Sequence, residues 1–222
     1  MIFAVDNLLT LDELKFIVTT LEIAEFVDGK VTAGWYAKSV KNNTQLDRKD
    51  NSASQLQEII KTALKRNFIF QLAVQPKAIH SILFSRYDRG MSYGKHCDNA
   101  FMGKEQFLRS DVSFSVFLNS PQEYEGGELV IEKDGNEHTY KLDAGSAIVY
   151  PASTLHEVTS VTSGFRLVAV GWVQSLVRDP NDREILFDLD TVRRSIYAKE
   201  GKTVEFDLLA KTYANLLRKW GE

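Results

Sequence analysis

The period of the hydrophobic positions changes twice along the chain. From Thr10 the apolar residues Leu14, Ile17, Val18 and Leu21 recur at the spacing of one helical face, and Thr10 with Glu13 forms a capping box ahead of them. This predicts an amphipathic helix packed on a sheet. Asp28-Gly29 inside "FVDGKVTAGWY" marks a turn between short apolar segments, and "SASQLQEIIKTALKRN" reads as a second helix capped by Ser52 or Ser54. The first 67 residues therefore read as helical support. Beyond Pro76 the period falls to that of a strand. Seven segments, "AIHSILFSRY", "SDVSFSVFLN", "GELVIE", "HTYKL", "SAIVYP", "HEVTSV" and "FRLVAVGWV", are rich in β-branched and aromatic residues and are separated by turn signals such as Gly126-Gly127, Asp134-Gly135 and Ala144-Gly145. They predict a sandwich or a barrel. After Gln174 the helical period returns, with Asp179 as cap and Pro180 as first helical residue, and then "TVEFDLLAKTYANLLRKW" aligns Leu208, Leu209, Tyr213, Leu216, Leu217 and Trp220 on one face. The chain divides accordingly into a support region (1–77), a β-rich core (78–175) and a helical extension (176–222). The extension either buttresses the core or forms a homo-oligomer interface.

Composition narrows the class. At 222 residues with 44% hydrophobic content, the chain is long enough for one substantial core, and no apolar run approaches a membrane span. A net charge of -3, with Lys and Arg scattered among acids, argues against nucleic acid as a partner. "MIFAVDNLLT" lacks the features of a signal peptide, and Cys97 is the only cysteine. A soluble, cytoplasmic protein is expected.

The candidate chemistry lies in "YGKHCDNAFMG". On extended chain His96 and Asp98 would project from one face and Cys97 from the other, yet a lone His-x-Asp is more often a polar turn. His156, in "YPASTLHEV", supplies a third donor within the same β-rich region. Two histidines and a carboxylate on neighbouring strands make a facial triad that leaves coordination positions open, as in non-haem Fe(II) oxygenases. Arg166 follows after the turn "SVTSG", and an antiparallel return would bring it near the metal. Its alternation with Val168, Val170 and Trp172 puts a guanidinium among apolar neighbours, which requires an anion, an internal Asp or Glu or the carboxylate of a cosubstrate, unless Arg166 lies at an exposed strand end.

These residues, with "YDRGMSYGKHCDNAFMG", "RSDVSFSVFLN", "EGGELVIE" and "AGSAIVYPASTLHEVTSVTSGFRLVAVGWVQS", resemble the core of the iron(II)/2-oxoglutarate dioxygenases, and more narrowly the bacterial PKHD-type hydroxylases of the prolyl 4-hydroxylase branch. The resemblance implies an α+β architecture: a double-stranded β-helix (jelly-roll) core with N-terminal buttressing helices and a C-terminal helical extension. It implies that His96, Asp98 and His156 ligate Fe(II) and that Arg166 binds the distal carboxylate of 2-oxoglutarate. It also implies that O2 and 2-oxoglutarate are consumed to hydroxylate a peptide or small molecule, with release of succinate and CO2. L-ascorbate is the expected reductant, and a link to iron uptake is the expected setting. By the same resemblance Tyr87 contacts 2-oxoglutarate; a core tyrosine is the equal alternative, and Tyr93 is similar. Asn99 reads as a turn former or as an orienting partner of a ligand, and Arg109 with Asp111 as structural, with substrate contact as the lesser alternative. Cys97 is expected to be an inert core residue, while His80 and His138 lack partners. "AFMGKEQFLRS" is either a lid or an ordinary loop. A non-catalytic, cupin-like metal-binding module and a zinc hydrolase are the competing classes; the first has no use for Arg166, and the second lacks a helical general-base Glu beside a ligand His.

Overall fold

The computed structural model describes residues 1–103 and 107–222. Strand β1 (Phe3–Val5) leads into helix α1 (Leu11–Glu22), followed by β2 (Phe26–Asp28), β3 (Lys41–Asn42), β4 (Thr44–Leu46), α2 (Ala53–Arg66) and α3 (Phe68–Val74). The β-rich stretch contains β5 (Pro76–Tyr87), β6 (Ser92–His96), β7 (Phe101–Met102), β8 (Leu108–Arg109), β9 (Val112–Phe117) and β10 (Tyr124–Gly126). It continues with β11 (Leu129–Lys133), β12 (Asn136–Tyr140), β13 (Ala147–Pro151), β14 (His156–Val158), β15 (Val161–Gly164) and β16 (Arg166–Ser175), before α4 (Pro180–Glu200) and α5 (Val204–Trp220).

Two antiparallel sheets form the core. The major sheet runs β1-β13-β9-β16-β5-β4-β2 and the minor sheet β12-β11-β14-β6-β3, with β10 paired to β15 and β7 to β8. Strand alternation divides the side chains of the major sheet. Val112, Phe114 and Val116 of β9, Ala147 and Val149 of β13, and Leu167, Ala169 and Val173 of β16 turn outward against Ile17 and Leu21 of α1, Leu56, Ile60 and Leu64 of α2, and Phe70 of α3. The opposite face, with Tyr87, Ile148, Tyr150 and Val168, turns inward toward the minor sheet.

Local signals explain most boundaries. The capping box of Thr10 and Glu13 forms as the sequence predicts. Asp134 and Gly135 both take positive φ in the two-residue turn between β11 and β12, the conformation such hairpins require. Asp179 and Pro180 start α4, and Thr203 caps α5.

Three features differ from the sequence-based expectation. The N-terminal region is not helical support alone: β1, β2 and β4 extend the major sheet and β3 extends the minor one. Their pairing partners are distant in sequence, so short segments with weak β character become strands only when the larger sheets offer edges. Asp28-Gly29 does not close a hairpin; the Asp28 carboxylate caps a short 3-10 turn and β2 pairs with β4. Neither predicted serine caps α2 through its side chain: Ser52 occupies the cap position, but its backbone N–H and hydroxyl both donate to Asp50.

The C-terminal helices pack on each other through Leu186 and Tyr213, together with Val177 just before α4, with Leu216, Leu217 and Trp220 at the margin. Leu208 is exposed. Arg109 ties the chain end to the barrel, since its guanidinium binds Asp111 at 2.7 Å and Glu222 at 2.7 Å, and Asp111 accepts from the Ser175 N–H. That pair is structural, as expected. No helix among the described residues is long and apolar enough to cross a membrane.

Candidate metal centre and cosubstrate pocket

The adjacent strands β6 and β14 place His96 and His156 directly opposite each other. Their ring centroids are 4.3 Å apart. Each Nδ1 faces a backbone carbonyl two residues earlier, Gly94 for His96 and Thr154 for His156, at 2.9 Å. A carbonyl oxygen can only accept, so each Nδ1 carries the proton and each Nε2 keeps its lone pair for a metal. His156 Nε2 lies 3.9 Å from Asp98 Oδ2, and one donor atom from each of His96, Asp98 and His156 falls within 4.8 Å of the others. Burial, followed by the neighbouring His156, pushes His96 down to about 4. The ring is therefore neutral at pH 7, as a ligand must be.

Asp98 reaches this cluster by a route that strand alternation does not describe. Strand β6 ends at His96, and the chain leaves the sheet before Asp98. The carboxylate is held instead by Ser113 of β9, whose hydroxyl donates to Asp98 Oδ2 at 2.6 Å. For the same reason Cys97 is not a core residue: it is half-buried, with its thiol 3.4 Å from the Ala152 carbonyl. Aromatic rings wall the cluster. Tyr93 stacks on His96 at 3.6 Å, and Tyr150 meets His156 edge-on at 5.1 Å. Burial raises the pKa of both phenols, so they remain neutral.

The three donors open into a cavity of about 430 Å³ that also receives Arg166, Tyr87, Asn99 and Trp172. Arg166 does not arrive by a hairpin return: β15 turns aside to pair with β10, and β16 belongs to the other sheet, so the side chain enters across the barrel interior. It is 1% exposed, and Nε, Nη1 and Nη2 have no hydrogen-bond partner among the described residues. The guanidinium lies over the rings of Tyr87, at 5.1 Å, and Phe117, at 5.5 Å. Gly127, at φ +66°, leaves room for it, since a Cβ there would stand 3.2 Å from Arg166 Cδ. A buried unpaired guanidinium costs several kcal/mol, and a dianion of cosubstrate size would remove that penalty through paired N–H···O bonds. The donor set and this cation fit a divalent metal chelated by a dicarboxylate.

The remaining candidates separate clearly. Tyr87 is buried with its ring on Arg166, a position compatible with both of its readings, and Asn99 lies against Gly34. His138 is exposed on β12, and His80 is buried away from the cavity. The tip of the lid candidate "AFMGKEQFLRS", residues 104–106, lies outside the described residues; Phe101, Met102 and Gly103 line the cavity mouth. Sequence reading missed Ser113 and Tyr150. A signal existed for the first: Ser113 and Ser115 alternate with apolar residues in a fully buried strand, which indicates a polar cavity on one face.

Residues 82–174 match the model of the 2OG-Fe(II) oxygenase superfamily, and residues 181–222 match that of the PKHD-type hydroxylase C-terminal domain. The chain is 61% identical over 222 residues, the full length of both proteins, to a PKHD-type hydroxylase of Rippkaea orientalis. Its fold is similar to that of a prolyl-4-hydroxylase from Pseudomonas putida, with a TM-score of 0.52 and 19% identity over 78% of this chain and 92% of that one. It is also similar to a Trichoplax adhaerens prolyl hydroxylase solved with a hypoxia inducible factor peptide fragment, with a TM-score of 0.55 and 13% identity over 78% and 83% of the two chains.

Proposed function

The chain belongs to the PKHD-type hydroxylases of the 2OG-Fe(II) oxygenase superfamily, and from that premise we propose that His96, Asp98 and His156 hold Fe(II) while Arg166 receives the distal carboxylate of 2-oxoglutarate. The observation that carries this reading is Arg166, a fully buried cation without a hydrogen-bond partner among the described residues, in the same cavity as two imidazoles and a carboxylate. When bound, iron and 2-oxoglutarate supply the oxidising chemistry: O2 is reduced, 2-oxoglutarate is converted to succinate and CO2, and one oxygen atom enters a substrate C–H bond.

The protein's part is geometric. His96 and His156 present Nε2 because backbone carbonyls hold their Nδ1 protons, and Ser113 fixes the carboxylate of Asp98. Tyr87 packs on the guanidinium of Arg166 and, in this reading, donates its hydroxyl to the cosubstrate. Tyr93, Tyr150 and Val158 exclude water from the centre. Segment 78–175 is the catalytic unit, supported by 1–77 and 176–222. The substrate is a peptide or a small molecule; the peptide-bound prolyl hydroxylase among the similar folds favours including peptides in any screen. Ascorbate is the expected reductant, a reducing cytoplasm suits a ferrous site, and iron uptake is the physiological setting carried by family resemblance. Induction of the transcript under iron starvation tests the last point.

The direct test is succinate formation from 2-oxoglutarate by the anaerobically iron-loaded protein, screened against peptides, amino acids and siderophore fragments, with and without ascorbate. Turnover should require Fe(II) and vanish in His156→Ala. Succinate formation indifferent to either change would overturn the reading. A non-catalytic metal-binding module would leave Arg166 without purpose, and titration with 2-oxoglutarate separates the two.

A further inference from the structure

The cavity has a wall that neither matched family model covers. Between residues 32 and 48 the chain passes from the edge of the minor sheet, where β3 pairs with β6, to the major sheet, where β4 lies between β5 and the edge strand β2. It thereby closes one side of the barrel mouth. Thr32, Lys41, Gln45 and Arg48 face the cavity from this segment. They form a chain: Lys41 Nζ donates to Thr32 Oγ1 at 3.0 Å, that hydroxyl donates to Gln45 Oε1 at 2.6 Å, and Gln45 Nε2 donates to Ser85 Oγ at 3.1 Å.

Lys41 is 5% exposed, and its ammonium makes no salt bridge among the described residues. One of its three donors is used. It lies 5.0 Å from the ring centroid of Tyr93, which stacks on His96, so the cation stands one aromatic layer behind a candidate metal ligand. Arg48, exposed at the mouth, also makes no ion pair among the described residues. Among the described residues the charged groups lining the cavity are Lys41, Arg48, Arg166 and Asp98, which leave an excess of two positive charges. A divalent metal together with a dianionic cosubstrate leaves that excess unchanged. Arg166 is engaged by the cosubstrate, so the surplus resides on the wall formed by 32–48.

We propose that this wall selects the substrate, and that Lys41, assisted by Arg48, receives an anionic group on it, a carboxylate or a phosphate ester. The proposal rests on the dioxygenase reading of the cavity. The Thr32–Gln45–Ser85 chain holds the ammonium in place, and the low accessibility of Lys41 strengthens its attraction for an anion relative to a surface lysine. Arg48, nearer solvent, acts as a steering charge at the entrance.

The test uses the full chain with Zn(II) and 2-oxoglutarate bound, which permits binding without turnover. Probes are N-acetyl amino acids against their amides, and phosphate monoesters against their parent alcohols, with affinities read by ligand-observed NMR. In the wild type the anionic member of the favoured pair should bind about tenfold or more tighter than its neutral twin. Lys41→Met should reduce that preference to within about twofold, and Lys41→Arg should retain most of it. Arg48→Gln, a surface change that the fold tolerates, should reduce it about threefold and decides the matter if Lys41→Met does not fold. Equal binding of both twins to the wild type, or an undiminished preference in a folded Lys41→Met, overturns the proposal. Loss of 2-oxoglutarate affinity in Lys41→Met would assign the lysine to the cosubstrate and overturn it as well. Failure of the wild type to bind 2-oxoglutarate would instead remove the dioxygenase reading, and this inference with it.

Discussion

The two faces of β16 are built for opposite purposes. Leu167, Ala169 and Val173 enter an apolar core closed by α1, α2 and α3, where each side chain is matched by neighbours. One residue out of step, Arg166, Val170 and Trp172 look into the cavity, where the nitrogens of Arg166 and the indole N–H of Trp172 have no partners among the described residues. A fold optimised only for stability would satisfy or replace those groups. The same strand thus carries stabilising contacts on one side and binding capacity on the other, and substitutions on the two faces should affect different measurements.

The largest effect is expected at the cavity face of the opposing sheet. His156→Ala should abolish iron-dependent 2-oxoglutarate consumption, as should treatment with a chelator, while the melting temperature of the metal-free protein stays within a few degrees of wild type. On the closed face, Leu167→Ala should lower unfolding stability by about 2–5 kcal/mol in denaturant titration and leave 2-oxoglutarate affinity unchanged in the folded protein. Arg166→Met should do the reverse: weaken 2-oxoglutarate about 100-fold by calorimetry, with ligand-free stability equal to or above wild type, because it removes an unpaired buried charge. An Arg166→Met protein that loses stability instead would mean that the guanidinium is internally satisfied. Ser113→Ala should weaken metal binding about 10- to 100-fold by freeing Asp98.

The smallest effect lies in the capping box. Arg66 holds the Glu13 carboxyl down at about 2. The ion pair and cap together should stabilise by about 1 kcal/mol, so Glu13→Gln should lower stability by that amount at neutral pH. Because the folded pKa is depressed, the contribution is complete above the unfolded value near 4.5 and disappears as pH falls toward 2. Melting curves of the two proteins should converge over that interval and leave metal binding at neutral pH untouched.

Helix α1 shows how far local reading extends. Thr10, Glu13 and the stripe through Leu14, Ile17 and Leu21 predict its start and its buried face, since capping and amphipathicity act over a few residues. The major strands were legible on the same grounds, period two with β-branched residues. Strands β1, β3 and β4 were not, because two or three residues carry no period and owe their conformation to an edge formed far away in sequence. Helix α3 was missed as well; it is seven residues long and follows α2 directly, too short for a periodic signal of its own.

The donor set could be named from spacing and family resemblance, and the fold brings His96, Asp98, His156 and Arg166 to one cavity. How they arrive was not legible. Arg166 comes from the other sheet, Asp98 is placed by Ser113 after the strand has ended, and Lys41 enters through an edge strand of two residues. By itself the amino-acid sequence determined the long helices and the major strands, the caps of α1 and α4, and the residue types capable of the chemistry, because these depend on interactions within a few positions. The tertiary structure alone decided which buried cation lacks a partner among the described residues and which wall of the cavity carries surplus charge, because partnership inside a barrel depends on strand order and register across the whole chain.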